Sequence, residues 1–169
     1  MPDIPIRRIE AHEGPLLRDI RLRAFTDAPL AFGTTLVEAS ALPAEWWDAR
    51  ARACAAGTDR ALWVAEDAAR WRGLVGAEHS DVPGHFELIS MWVDPAVRHR
   101  GVARRLLDVV TAWALQQRAV RLQLMVTEGN VAAIALYESV GFAFTGESDP
   151  HPVYAGLREL AMYRGLRES

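Results

Sequence analysis

The stretch Val93-Asp94-Pro95-Ala96-Val97-Arg98-His99-Arg100-Gly101-Val102-Ala103 decides the fold, because it runs from an apolar extended segment through a basic turn directly into a helix. Asp94-Pro95 ends the strand, since proline offers no N–H and pushes the residue before it toward extended backbone. From Gly101 to Gln117, Val102, Leu106, Val109, Val110 and Trp113 fall on one helical stripe, with Arg105 and Asp108 off it. The turn is suited to an anion. A helix N-terminus presents unpaired N–H groups and roughly half a positive charge, and Gly101 and Ala103 are too small to keep a phosphate from the backbone. Arg98, Arg100 and Arg104 add charge, and from Asp94 to Arg121 six Arg stand against two Asp, a local +4 in a chain of net charge −3. A solvated basic turn with no ligand is the competing reading. Neither G-x-x-x-x-G-K-[ST] nor a G-x-G-x-x-G after a strand occurs elsewhere.

Working toward the N-terminus, three extended runs precede this turn, Leu62 to Glu66, Arg72 to Glu78 and Phe86 to Val93, at the spacing of an antiparallel meander. Before them, Pro43 opens a helix through Cys54, Asp27 to Ser40 reads as a loop, and Leu16, Leu17, Ile20, Leu22 and Phe25 mark a helix from about Gly14. Ile4, Ile6 and Ile9 suggest an opening strand. Toward the C-terminus, Val120, Leu122, Leu124 and Val126 alternate as a strand, and Asn130 N-caps a helix to about Val140 that Gly141 closes. Strands at Phe142 to Thr145 and Leu157 to Arg164 complete the order β-α-α-β-β-β-α-β-α-β-β. No repeat or linker divides the chain, so residues 1–169 are expected to form a single α/β domain.

Composition narrows the function. Half of the 169 residues are hydrophobic and 24% are charged, which describes an ordinary globular chain. The net charge of −3 gives no bulk attraction for nucleic acid, and all 19 basic residues are arginine, so the chain has no side-chain amine of its own to acetylate. The single cysteine, Cys54, forms no internal disulfide and no cysteine metal cage. His12, His79, His85, His99 and His151 show no ligand spacing. With no charged-then-apolar leader and no run near the roughly 18 apolar residues of a membrane span, the expectation is a cytoplasmic protein without metal, membrane or nucleic-acid partners.

Arg98 to Ala103 resembles the pyrophosphate loop [RQ]-x-x-G-x-[GA] of the GNAT family of N-acetyltransferases, at the family's place between the fourth strand and third helix. Downstream, Asn130-Val131-Ala132-Ala133-Ile134-Ala135-Leu136-Tyr137-Glu138-Ser139-Val140-Gly141-Phe142 is similar to the family's N-x-x-A-x-x-x-Y-x-x-x-G-F segment. The two motifs in order, within matching elements, extend the resemblance over roughly residues 4 to 165. It implies a mixed, mostly antiparallel sheet whose fourth strand splays from the fifth at a bulge, and transfer from acetyl-CoA to a primary amine by direct attack in a ternary complex. By the same resemblance the backbone of Met91 and Val93 pairs with the cofactor arm, and the N–H of Met91 or Trp92 meets the thioester carbonyl. Arg98, His99, Arg100, Gly101, Val102, Ala103 and Arg104 hold the pyrophosphate, Asn130 bonds the arm, and Tyr137 protonates the leaving thiolate. Asn130 as a helix cap alone, and Tyr137 as a core aromatic, are the bland alternatives.

An amine of pKa near 10.4 is neutral only about once in a few thousand molecules at pH 7, so a base or proton wire is needed. Glu87, eleven residues before Arg98, matches the position of the glutamate base in histone-type members. Strict alternation would put Glu87, Ile89, Met91 and Val93 on one face. An ordinary edge carboxylate with an ordered water as base is the alternative, and Glu78, His79 and His85 are backups. Trp46 and Trp47 could line the acceptor site or belong to core or interface, and Glu38, Glu45, Glu147 and Asp149 could attract a cationic amine. The acceptor is expected to be a small molecule, with a protein N-terminus and a homodimer left open. Substrate choice would reside in the Asp27 to Ser40 and Glu147 to Gly156 loops. Two readings from other classes are a non-catalytic acyl-CoA-binding sensor of the same fold, and a phosphate or nucleic-acid binder using Arg98, Arg100, Arg104 and Arg105.

Overall fold

The computed structural model describes residues 2–166. Seven strands, β1 (Ile6–Arg8), β2 (Arg60–Asp67), β3 (Arg70–His79), β4 (His85–Val93), β5 (Arg121–Thr127), β6 (Ala143–Pro150) and β7 (Arg158–Gly165), form one sheet in the order β1-β2-β3-β4-β5-β7-β6. Every neighbouring pair is antiparallel except β4 and β5. The helices are α1 (Gly14–Asp27), α2 (Leu36–Ser40), α3 (Ala44–Ala55), α4 (Val102–Gln116) and α5 (Val131–Ser139).

Both faces of the sheet are covered, which is why β2 and β3 read as nearly unbroken apolar runs. On β2, Ala61, Trp63 and Ala65 join one core with Leu106, Val110 and Trp113 of α4, while Leu62 and Val64 join the other with Leu17, Ile20 and Phe25 of α1 and Trp47 of α3. Gly73 lets α4 come down on β3, since a Cβ there would lie 3.2 Å from both Leu106 Cδ1 and the Trp92 carbonyl. At the start of α1, a Cβ on Gly14 would sit 2.2 Å from the Asp48 side chain and 2.8 Å from the Asp48 backbone nitrogen.

The expected elements are present, with corrections. The segment read as a loop from Asp27 to Ser40 contains α2, closed by a capping box in which Thr35 Oγ1 accepts from the Glu38 N–H and Glu38 accepts from the Thr35 N–H. T-x-x-E was visible in the sequence, but five residues are too few to show a period. On α1 the buried stripe is Leu17, Ile20, Ala24 and Phe25, whereas Leu16 is exposed. β6 runs on to Pro150, tolerated because β6 is an edge strand with no further ladder to break. No helix among the described residues is long and apolar enough to cross a membrane.

Candidate active site

β4 is paired to β5 only at His85, Phe86 and Glu87, opposite Arg121, Leu122 and Gln123. Beyond Glu87 the strands part. Opposite β3, Leu74 pairs with Trp92 and Gly76 with Ile89, so Ser90 and Met91 together oppose the single residue Val75. This is a β-bulge, and Ser90 takes a left-handed φ of 60° to make it. The split opens a cleft of about 590 Å³ lined from β4 by Glu87 through Met91 and from β5 by Gln123 through Thr127.

The bulge overturns the expected sharing of one face by Glu87, Ile89, Met91 and Val93. Phe86 and Leu88 point into the α4 core, which sets Glu87 and Ile89 on the opposite face; the extra residue then swaps the parity, so Met91 and Val93 pack with the α4 core and Trp92 turns to the α1 side. Glu87 keeps its place at the fork of the strands, where its Oε1 accepts from Gln123 Nε2 at 3.2 Å. Tyr137, from α5, lines the same cleft, with its ring edge-on to Phe142 at 5.8 Å. Burial pushes the Tyr137 phenol well above its ordinary range, so it stays protonated. Asn130 Oδ1 caps α5 by accepting from the Ala133 N–H at 3.3 Å, and the residue also lines the cleft.

Past the end of β4, Asp94 anchors the turn. Its carboxylate accepts from the Ala96 N–H at 2.9 Å and pairs with Arg72 at 3.2 Å and Arg23 at 3.4 Å. Arg98 is less free than its motif suggests: Nε donates to the Val93 carbonyl at 3.0 Å and the guanidinium is ion-paired with Asp27, which also accepts from Trp92 Nε1. What Arg98 offers a ligand is therefore chiefly backbone. His99, at φ 62°, and Gly101, at φ 75°, turn the chain into α4, whose N-terminus carries no side-chain cap. Open space surrounds the Gly101 α-carbon. Two non-glycine residues in the left-handed region, Ser90 and His99, thus flank one track from the fork to the helix N-terminus.

Of the backups, Glu78 lines the cleft and bonds Arg50 at 3.4 Å, whereas His79 packs on Phe86 and His85 lies outside the lining. Trp47 is buried in the α1–α3 core, and neither it nor Trp46 reaches the cleft. Glu147 lines the cleft; Glu38 serves the α2 cap. The grouping Glu10, His12 and Glu13 brings ligand-type atoms together away from the cleft, with Glu13 already held by Arg7 at 2.6 Å. Cys54 is buried, and burial pushes its thiol up, away from the reactive thiolate. The sequence reading missed Arg21, Arg50 and Arg121, all in the lining. Arg21 had a signal, since it stands four residues from both Leu17 and Phe25, a charge set on the apolar stripe.

Residues 17–142 match the family model described as the acetyltransferase (GNAT) family. The chain belongs to that family. It is similar to human N-acetyltransferase 8, 34% identical over 91 residues, covering 52% of this chain and 40% of that protein. It is also similar to mycothiol acetyltransferase of Mycolicibacterium paratuberculosis, 31% identical over 159 residues, covering 84% of this chain and 48% of that protein. The chain thus spans less than half the length of either relative. A GNAT acetyltransferase structure from Streptococcus pneumoniae superposes with a TM-score of 0.85 over 98% of this chain and 100% of that one; at 19% identity that likeness speaks for the fold alone.

Proposed function

We propose that this protein is an N-acetyltransferase that moves the acetyl group of acetyl-CoA to the primary amine of a small molecule by direct attack in a ternary complex. The observation that carries this reading is the split between β4 and β5, bulged at Ser90, with Glu87 at its fork and protonated Tyr137 on its wall. The residues present fit the donor. From Leu88 onward, β4 has no strand partner on the β5 side, so the backbone of Met91 and the N–H of Val93, whose carbonyl already accepts from Arg98, suit an extended, amide-bearing arm. The uncapped N-terminus of α4 and the turn from Arg98 to Arg104 suit a pyrophosphate, with Arg100 and Arg104 supplying charge.

When bound, acetyl-CoA supplies an activated acyl group as a thioester. Glu87 takes a proton from the acceptor's ammonium, directly or through a water, which frees the neutral amine to attack, and Gln123 holds the Glu87 carboxylate in place. The Met91 or Trp92 N–H faces the oxygen on which negative charge develops. Tyr137 gives a proton to the departing thiolate, and Asn130 offers its amide NH2 to the donor arm.

The first test is a melting curve with and without acetyl-CoA, since a ligand of the native state alone raises apparent stability. An upward shift that Arg100→Ala with Arg104→Ala removes, each protein compared with itself, supports the donor site. No shift at millimolar acetyl-CoA overturns it. An amine screen following thiol release with wild type and Glu87→Gln then separates an enzyme from a silent acyl-CoA sensor.

A further inference from the structure

The cleft contains a charge that the transfer chemistry does not use. Arg21, from α1, lines it, and Nη1 is buried without a hydrogen-bond partner. Among the described residues it forms no ion pair, unlike Arg50, which leans on Glu78. The guanidinium lies against a pair of phenyl rings, its central carbon 4.6 Å from the Phe25 centroid and 4.9 Å from that of Phe32, the rings themselves packed edge to face with centroids 5.1 Å apart. Those rings attract the charge but accept no hydrogen bonds of ordinary strength, so Nη1 needs an acceptor from elsewhere. Burial and the neighbouring Arg50 push its pKa down to about 10, which leaves it charged at neutral pH.

Resting on the acetyl-transfer reading, we propose that Arg21 receives a carboxylate of the acceptor, which makes the acceptor a small amino-acid-like molecule bearing both a free amine and a free carboxylate. The planar fork of a guanidinium matches the two coplanar oxygens of a carboxylate, and the neighbouring Arg50 is already engaged by Glu78, which leaves Arg21 to meet the carboxylate. Elsewhere in the cleft, Glu87 and Glu147 are acidic and suit the amine. The Arg21 end is also roofed. The Leu30 carbonyl accepts from Thr127 Oγ1 at 2.7 Å and from His151 Nε2 at 3.0 Å, and His151 Nδ1 accepts from the Val153 and Tyr154 N–H groups, which places the ring proton on Nε2. This clamp brings Gly33 close to Pro152, a Cβ on Gly33 falling 3.4 Å from Pro152 Cγ. Such an end accepts a terminal carboxylate and blocks a polypeptide that would continue past it.

The test compares the free L-amino acids with their carboxamides as acceptors, and separately measures melting shifts with N-acetyl-L-amino acids against the matching amides, which need no donor. The expected result is at least one free amino acid whose kcat/KM exceeds that of its amide by about 100-fold, because a site built for a polar group rejects the analogue lacking it. The corresponding N-acetyl acid raises Tm and its amide does not. Arg21→Met should erase both preferences, raising KM for the acid while leaving the amide's KM and the acetyl-CoA melting shift as in wild type. It should not lower the Tm of the unliganded protein, because it removes a buried charge without a partner. Arg21→Lys keeps the charge and should recover part of the preference. Wild type using acid and amide equally, rejecting all free acids while acetylating other amines, or keeping its preference in Arg21→Met would overturn the proposal. The acetyl-CoA shift is read independently and tests the transfer reading by itself.

Discussion

The two ends of β4 are one strand treated in two ways. From His85 to Glu87 it is paired on both sides, to β3 and to β5; from Ser90 to Val93 it is bulged against β3 and has left β5 altogether. The paired end fixes a side chain, Glu87, to within hydrogen-bonding distance of Gln123, while the parted end leaves backbone groups available to a ligand. A catalytic carboxylate has to be held, and a binding edge has to be left unsatisfied. The strand does both within nine residues, and the change occurs at Ser90.

The largest expected effect is at the paired end. Glu87→Gln keeps the shape and can still bond Gln123 but takes no proton, so kcat should fall by about 100-fold or more while the acetyl-CoA melting shift is retained. An unchanged kcat with a saturating acceptor would make Glu87 an edge carboxylate and hand the proton to water. Across the cleft, Tyr137→Phe leaves the ring packed on Phe142 and removes only the hydroxyl. Thiolate is already a fair leaving group, so a smaller loss, about tenfold in kcat, is expected in single-turnover measurements. A Tm that drops with kcat intact would return Tyr137 to the core.

The parted end is tested at the bulge. Ser90→Val places a β-branched residue at φ 60° and should destabilise the protein by about 1–3 kcal/mol, or straighten the strand and weaken acetyl-CoA binding; Ser90→Gly should be tolerated. Equal denaturation midpoints for the two variants would show that the left-handed turn is not needed to hold the strands apart.

How much of this was legible in the sequence follows from the range of each cause. Strands, helices and the turn from Arg98 to Arg104 could be read because propensity, proline placement and helical period are local. The family motifs named Glu87, Asn130 and Tyr137, which all line the cleft. The resemblance implied a bulge where β4 leaves β5, but its place at Ser90 was not legible, since a period of two counted through Ile89, Met91 and Val93 cannot register an extra residue. Arg21 stood out as a charge on an apolar stripe, but that it shares a cleft with Arg50 was hidden for a related reason. Arg21 and Arg50 sit on helices whose spacing describes their own buried faces, and only the packing of α1 and α3 against the sheet brings both to one cavity.

The smallest expected effect concerns the anchor beyond the parted end. Burial alone would push the Asp94 carboxyl up, but the Ala96 N–H, Arg72 and Arg23 outweigh it and hold the group below the usual carboxylate range. A carboxyl depressed in the folded state adds stability that is fully present above its unfolded pKa of about 3.9 and disappears as pH falls through the folded value. Asp94→Asn should therefore cost about 1–2 kcal/mol at pH 7, from the weakened bonds to Arg72 and Arg23, and the gap to wild type should stay constant down to about pH 5 and close in strong acid. Urea melts at a series of pH values measure it. Because Asp94 also accepts from the Ala96 N–H ahead of the turn to α4, the same variant should weaken the acetyl-CoA shift only slightly, the amide oxygen still accepting that bond. A gap that persisted unchanged to pH 2 would mean that the anchor works by shape alone, and that the charge of Asp94 contributes nothing to holding the end of β4 in place.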